Sequence, residues 1–391
     1  MMAVVKIKKG ETPMIPCQRH LFELPDDVAY FNCAYTAPLM LSAAKAGHRA
    51  IEQKNTPWTL TANDFFETGE ENRALFSRLV DGSPDQVAII PAVSYGIALA
   101  ARNLPVEKGQ TLLLLQDQFP SNVYAWRELA AARNARIITI PRPADNDWTA
   151  AVLDAIDDKT AVAALPNCHW TDGTLLDLVR IGRKCRANGT ALVIDAIQSL
   201  GVMPFSVREV QPDFLVAGTH KWLLGAYGYG FCHVAAKWLN GHPLEENWLN
   251  RESSEDFSRL VDYRDSYQHG ARRFDVGAGS SFFLAPVVKA ALTQILKWGV
   301  DDIAATLRSI TGRIAERAVD LGFQVAPDDV RAPHMLGLSL PAGLPENLPA
   351  LLAGEKVYAS VRGNAIRIAP HLYNSPADLD RLFTALEKIA G

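Results

Sequence analysis

The chain is poor in the features that mark specialised classes of protein. Its 391 residues hold five cysteines, Cys17, Cys33, Cys168, Cys185 and Cys232. Their number is odd and no two stand at the close spacing of a zinc knuckle. Free thiols in a reducing cytoplasm are the expectation. There is no basic tract, and Lys plus Arg (39) against Asp plus Glu (43) leaves a net charge of −4. So mild a charge excludes a dedicated nucleic-acid binder. Long apolar runs are missing too. The longest uncharged stretch, Val28–Ala44, carries Asn32, Thr36 and Pro38 and falls short of the roughly 20 apolar residues of a membrane span. Lys6, Lys8 and Lys9 have no apolar region behind them, so no secretory signal is expected. No internal repeat and no low-complexity segment is seen.

What is present is a globular composition. Hydrophobic residues are 48% and charged residues 21%, which excludes a disordered, collagen-like or coiled-coil protein. At about 150 residues per domain, the length suggests two or three domains. Seven short apolar runs read as buried strands: Val87–Ile90, Leu112–Leu115, Arg136–Ile140, Ala161–Leu165, Ala191–Ile194, Phe214–Ala217 and Gly230–Val234. Most lack polar alternation, as in strands covered on both faces. Helical patterns lie between them, at Ser94–Asn103, Ser121–Asn134, Trp148–Ile156 and Leu175–Asn188, the last closed by Gly189. This rhythm implies an α/β fold with a mostly parallel sheet between helices. It stops near residue 235. Helical patterns at Ala285–Trp298, Asp301–Leu321 and Pro376–Ile389 follow, with short strand patterns at Phe323–Val325, Met335–Ser339 and Ala365–Ile368. They suggest a smaller α+β domain.

The chemistry concentrates in two segments, Val193-Ile194-Asp195-Ala196-Ile197-Gln198 and Ala217-Gly218-Thr219-His220-Lys221-Trp222. Asp195 ends a buried strand, and Lys221 follows the next. Parallel sheets bind their ligands at that carboxyl edge. A buried Lys and Asp could pair with each other. Alternatively, a lysine of depressed pKa forms a Schiff base while a carboxylate holds a pyridinium nitrogen protonated, the protein part of a pyridoxal phosphate site.

In order and at this separation, these segments resemble the class V aminotransferase group of fold type I pyridoxal-phosphate enzymes. That group includes cysteine desulfurases, kynureninases and isopenicillin-epimerase-like proteins. The resemblance covers nearly the whole chain and implies a seven-stranded, mostly parallel sheet sandwiched by helices plus a smaller α+β domain. The expected division is an arm (1–20), a large cofactor domain (21–275, with about 21–50 free to pack on the small domain) and a small domain (276–391). Carried over residue by residue, Lys221 would be the Schiff-base lysine and proton shuttle, Asp195 the partner of the pyridine nitrogen, and Gln198 the donor to the phenolate oxygen. His220 would lie near the phosphate. Val93 and Ser94 open a helix after a strand, the place for a phosphate cup, with Ser94 able to cap that helix. Phe119 would stack on the cofactor ring, where desulfurases carry histidine. His169, before Thr171-Asp172-Gly173, would contact the cofactor from the substrate side. Gly279 and Ser280 would reach the partner subunit's phosphate in a homodimer. Arg367 would bind the substrate carboxylate as a guanidinium fork, with Arg362 a second candidate, and Tyr35 would line the mouth. The glycine-rich Gly225–Gly230 follows His-Lys-Trp and precedes a strand, so it is read as a turn beside the cofactor, not a dinucleotide fingerprint.

One absence separates the branches. Desulfurases need a nucleophilic cysteine upstream of the carboxylate arginine, but that region reads Lys356-Val357-Tyr358-Ala359-Ser360-Val361 and the last cysteine is Cys232. Desulfurase activity is excluded on that ground. The expected function is a cytoplasmic, class V aminotransferase-like enzyme with pyridoxal 5′-phosphate and a small amino-acid substrate. The alternatives are a C–S or C–C lyase of kynureninase type, an amino-acid epimerase, or a binding or regulatory protein that keeps the fold without turnover.

Overall fold

The computed structural model describes residues 14–391. Most of the expected 1–20 arm, including Lys6, Lys8 and Lys9, lies outside the described residues. All seven apolar runs form strands of one sheet, most of them a residue or two longer than the patterns that marked them. Across the sheet the order is Val87–Ile90, Gly230–Val234, Phe214–Gly218, Ala191–Asp195, Thr160–Pro166, Thr111–Leu115 and Arg136–Ile140. Only Gly230–Val234 runs against the rest. The inner strands are buried on both faces, while Arg136–Ile140, at the edge, is largely exposed.

Helices cover both faces, and local chemistry sets their ends. Leu178–Asn188 starts where the Asp177 carboxylate accepts the Arg180 N–H, and stops at Gly189, whose φ is +70°. The pattern from Ser121 divides at Val123, giving a short turn, Pro120–Asn122, then the helix Tyr124–Arg133. Two helices, Leu41–Gln53 and Glu67–Leu79, pack against Ala285–Trp298. Sequence patterning did not reveal these first two.

The buried apolar residues fall into separate clusters. Ala285, Val288, Leu292, Ile303 and Leu307 belong to the large core, although they follow residue 276. The smaller core begins at Ile314 and takes Ala29 and Phe31 from the N-terminal segment. Its sheet is antiparallel, in the order Ser360–Arg362, Ala365–Ile368, Leu336–Leu338. The Phe323–Val325 pattern yields only a bridge from Gln324 to Ser339. Among the described residues no helix is long and apolar enough to cross a membrane.

Candidate active site

Strand direction brings the chemistry together. The strands ending at Ile90, Leu115, Pro166, Asp195 and Gly218 all open onto one edge of the sheet. Gln118, Phe119, Cys168, Asp195, Gln198 and Lys221 line a single crevice there. Lys221 is held by its backbone. The Thr219 N–H donates to Tyr229 O (2.9 Å), the Leu224 N–H to Lys221 O (3.0 Å) and the Ala37 N–H to His220 O (2.9 Å). Gly225 must be small for this turn, because a Cβ there would lie 2.8 Å from the Thr219 Cβ.

Lys221 and Asp195 are both buried, yet no ion pair joins them within 4 Å. The direct Lys–Asp pair left open by the sequence is therefore not formed. Burial pushes the Lys221 amine down to about 8, against the pull of Asp195. Burial pushes the Asp195 carboxyl up to about 6, although the Ile197 N–H (3.1 Å) and Lys221 favour its charged form. Two buried, unpaired ions facing one crevice fit a group that takes an amine on one side and a carboxylate on the other.

The surroundings suit an aromatic anion. Lys221 Nζ stands 5.5 Å from the centroid of the Phe119 ring, and Trp170 meets that ring edge-on at 5.4 Å. In the helix Val93–Asn103, the Tyr95 and Gly96 N–H groups both turn to Ala92 O. The Val93 and Ser94 N–H groups have no such partner, as at the start of any helix. Ser94 is not the cap. Ala92 holds that position without a side-chain bond, and the exposed Ser94 is the second helical residue. His220 is half-buried, with its imidazole pushed down to about 4 by burial and by Lys221, so it offers a neutral ring.

Gln198 Nε2 donates to Ala34 O (3.1 Å) and its Oε1 accepts the Trp222 indole N–H (2.9 Å). One Nε2 hydrogen is left over for the crevice. Beneath it, His334 Nε2 donates to the Gln198 carbonyl at 2.6 Å. No local sequence signal links His334 or Trp222 to Gln198, because the contacts are tertiary.

His169 lines the same crevice as Lys221 and Asp195. The ring is fully buried and stacked on Trp148 at 5.4 Å. Arg142 Nη2 donates to its Nδ1 (3.1 Å), Thr171 Oγ1 lies 2.7 Å from the same atom, and Nε2 donates to Gln116 O (3.1 Å). Both nitrogens are committed, and burial followed by Arg142 keeps the ring neutral. Arg142, which also pairs with Asp172 at 2.6 Å, passed unnoticed in the sequence because it stands 27 residues ahead of its histidine.

Arg367 is 1% exposed and has no carboxylate partner. Its Nη1 donates to Trp170 O (2.8 Å), while Nε and Nη2 are buried and unpartnered. Tyr35 is exposed near this edge, where its neighbour Ala34 meets Gln198. Gly279 and Ser280 do not line the crevice. They lie in a separate recess with Phe65, Gly69 and Leu249.

Comparison with known proteins shows the family of the chain. Residues 53–363 match the family described as aminotransferase class-V. The chain is 28% identical to the uncharacterized aminotransferase YcbU of Bacillus subtilis over 86% of each chain. It is 24% identical to isopenicillin N epimerase of Streptomyces clavuligerus, over 82% of this chain and 84% of the relative. In fold it is similar to a C-DES variant solved with glycine covalently linked to its PLP cofactor. The TM-score is 0.83 at 18% identity, covering 95% of this chain and 99% of the other.

Proposed function

Because this chain belongs to the class V aminotransferase family of pyridoxal-phosphate enzymes, we propose that it holds pyridoxal 5′-phosphate by a Schiff base to Lys221 and transfers the amino group of an amino acid. The observation that carries this is the buried pair Lys221 and Asp195, both facing the crevice and neither neutralised by the other. When bound, the cofactor supplies an electrophilic carbon and an electron sink.

The residues divide the remaining work. Lys221, pushed down to about 8, offers a neutral amine at mildly alkaline pH and then carries the proton at the substrate Cα. Asp195 keeps a proton on the ring nitrogen. The Val93 and Ser94 N–H groups, with neutral His220, receive the phosphate. Gln198 directs its free N–H to the phenolate oxygen. Phe119 covers the ring and excludes water, and a phenyl group moves no proton. Arg367 takes the substrate carboxylate, and Tyr35 lines the entrance. Gly279 and Ser280 serve the phosphate of a second copy, making the enzyme a homodimer. The exposed Trp58, Tyr227 and Tyr263 are aromatic surface consistent with such an interface. Five free cysteines, four of them buried, suit a cytoplasmic location.

Transamination is favoured over epimerisation, which needs a second proton carrier on the opposite face. Of the other side chains lining the crevice, Phe119 and Trp170 carry no proton-transferring group, and both His169 nitrogens are committed. Burial drives the Cys168 thiol upward, and it points to Gln198 O. A binding protein without turnover would be free to lose Arg367, and nothing supports that alternative.

The test is a single-turnover incubation of the holoenzyme with an amino donor. Transamination converts the bound cofactor to its pyridoxamine form with an equal amount of keto acid and no ammonia. Ammonia released over many turnovers with an unchanged cofactor would establish a lyase instead. A colourless protein that ignores added pyridoxal phosphate would end the whole proposal.

A further inference from the structure

Arg362 and Arg367 form one feature. In the antiparallel hairpin Ser360 pairs with Arg367 and Arg362 with Ala365. Directly opposite residues share a face, and so do alternate residues along a strand. Arg362 and Arg367 therefore project from the same face as diagonal neighbours. Both meet Trp170, a wall of the crevice. Arg367 donates to its carbonyl, and the Arg362 guanidinium lies 5.5 Å from its ring centroid.

Like charges side by side need an anion, and none is supplied. Neither arginine takes part in an ion pair among the described residues. Arg362 donates only to the adjacent Val361 O, and its Nε is buried without a partner. Asp172, two residues beyond Trp170, is already taken by Arg142. Arg367 is pushed down to about 10 by burial and then by Arg362, and Lys221 also feels both guanidinium charges. One substrate carboxylate satisfies one fork and leaves the other empty.

We propose that the site selects amino acids with a second carboxylate on the side chain, which Arg362 binds while Arg367 holds the α-carboxylate. This rests on the amino-acid reading of the site given above. Arg362 is then a specificity residue. Its guanidinium lies 5.5 Å from the Trp170 ring centroid, within cation–π range, and a guanidinium edge can take a carboxylate bidentately.

The experiment titrates the visible absorbance of the holoenzyme with aspartate and glutamate against asparagine and glutamine. The acids should half-saturate the change at concentrations at least about tenfold below their amides. In Arg362→Gln that preference should fall to within about twofold, the amides being little affected, while Arg362→Lys keeps part of it. Equal response to acids and amides in the parent enzyme would overturn the proposal. So would an Arg362→Gln variant that weakens both alike, since Arg362 would then serve only the common carboxylate. Either result leaves the amino-acid enzyme intact. Absence of any spectral response to all four would overturn this proposal alone, and the broader reading falls only if no amino acid in a full panel shifts the absorbance.

Discussion

Among the described residues, two of the groups of buried charge are built oppositely. Around Arg73, which is 2% exposed, every ion has a partner. Asp275 binds it at 2.7 Å and 3.2 Å, Glu70 lies 3.1 Å from its Nε, and the Val87 carbonyl accepts from its Nη1. Arg272 extends the network to Glu70 (2.6 Å) and Asp85 (2.9 Å), and the Ile89 N–H donates to Asp275 (2.8 Å). Around Lys221, Asp195 and Arg367 the ions are as deeply buried and are not neutralised. Burial is costly to both groups, but only the first is compensated within the chain. Internal pairing marks a structural role, and its absence marks a place kept for a ligand.

Breaking the paired group should have the largest effect on the fold. Asp275→Ala leaves Arg73 short of its main counter-ion and should cost about 3–5 kcal/mol. The denaturant midpoint should fall with an unchanged slope, while the absorbance of the folded holoenzyme stays as in the parent. An unchanged midpoint would break the comparison. Arg367→Ala should do the reverse. It should weaken amino-acid binding by about 2–5 kcal/mol, read from spectral titration, with little loss of stability because only the Trp170 carbonyl loses a partner.

Asp195→Asn sharpens the contrast in the cofactor-free protein. The folded carboxyl lies near 6 against an ordinary 3.8, so the folded state binds the extra proton between those values and stability declines as pH rises through that window. At pH 8 the substitution should raise stability by up to about 3 kcal/mol, and the gain should shrink as pH falls from 6 toward 4. A variant less stable than its parent at pH 8 would show that Asp195 is compensated after all. The smallest effect belongs to Phe119→Leu. Loss of ring contact should weaken cofactor binding by about 1 kcal/mol without shifting the pH profile, since no titrating group is removed.

The unpaired group was the more legible of the two in the sequence. Asp195 and Lys221 stand at the ends of apolar strands, and a parallel sheet aligns such ends whatever the loops do. Arg367 came from the family resemblance. What escaped depends on contacts between distant segments. Arg73 and Asp275 are 202 residues apart and look like ordinary surface charges until the fold joins them. The partners of His169 escaped for the same reason, since Arg142 and Gln116 stand 27 and 53 residues from it. Ser94 looked like a cap by residue type, and the helix begins one residue ahead of it. Leu41–Gln53 and Glu67–Leu79 precede the first sheet strand, outside the strand–helix rhythm that exposed the others.

The central claim is that Lys221 is unpaired because it is reserved for the cofactor carbonyl. Borohydride reduction of the purified holoenzyme, followed by peptide mapping, tests it most directly. The account predicts one pyridoxyl adduct per chain, on Lys221, with no adduct in Lys221→Ala. A reduced adduct on another lysine, or none on a protein that has bound the cofactor, would contradict it.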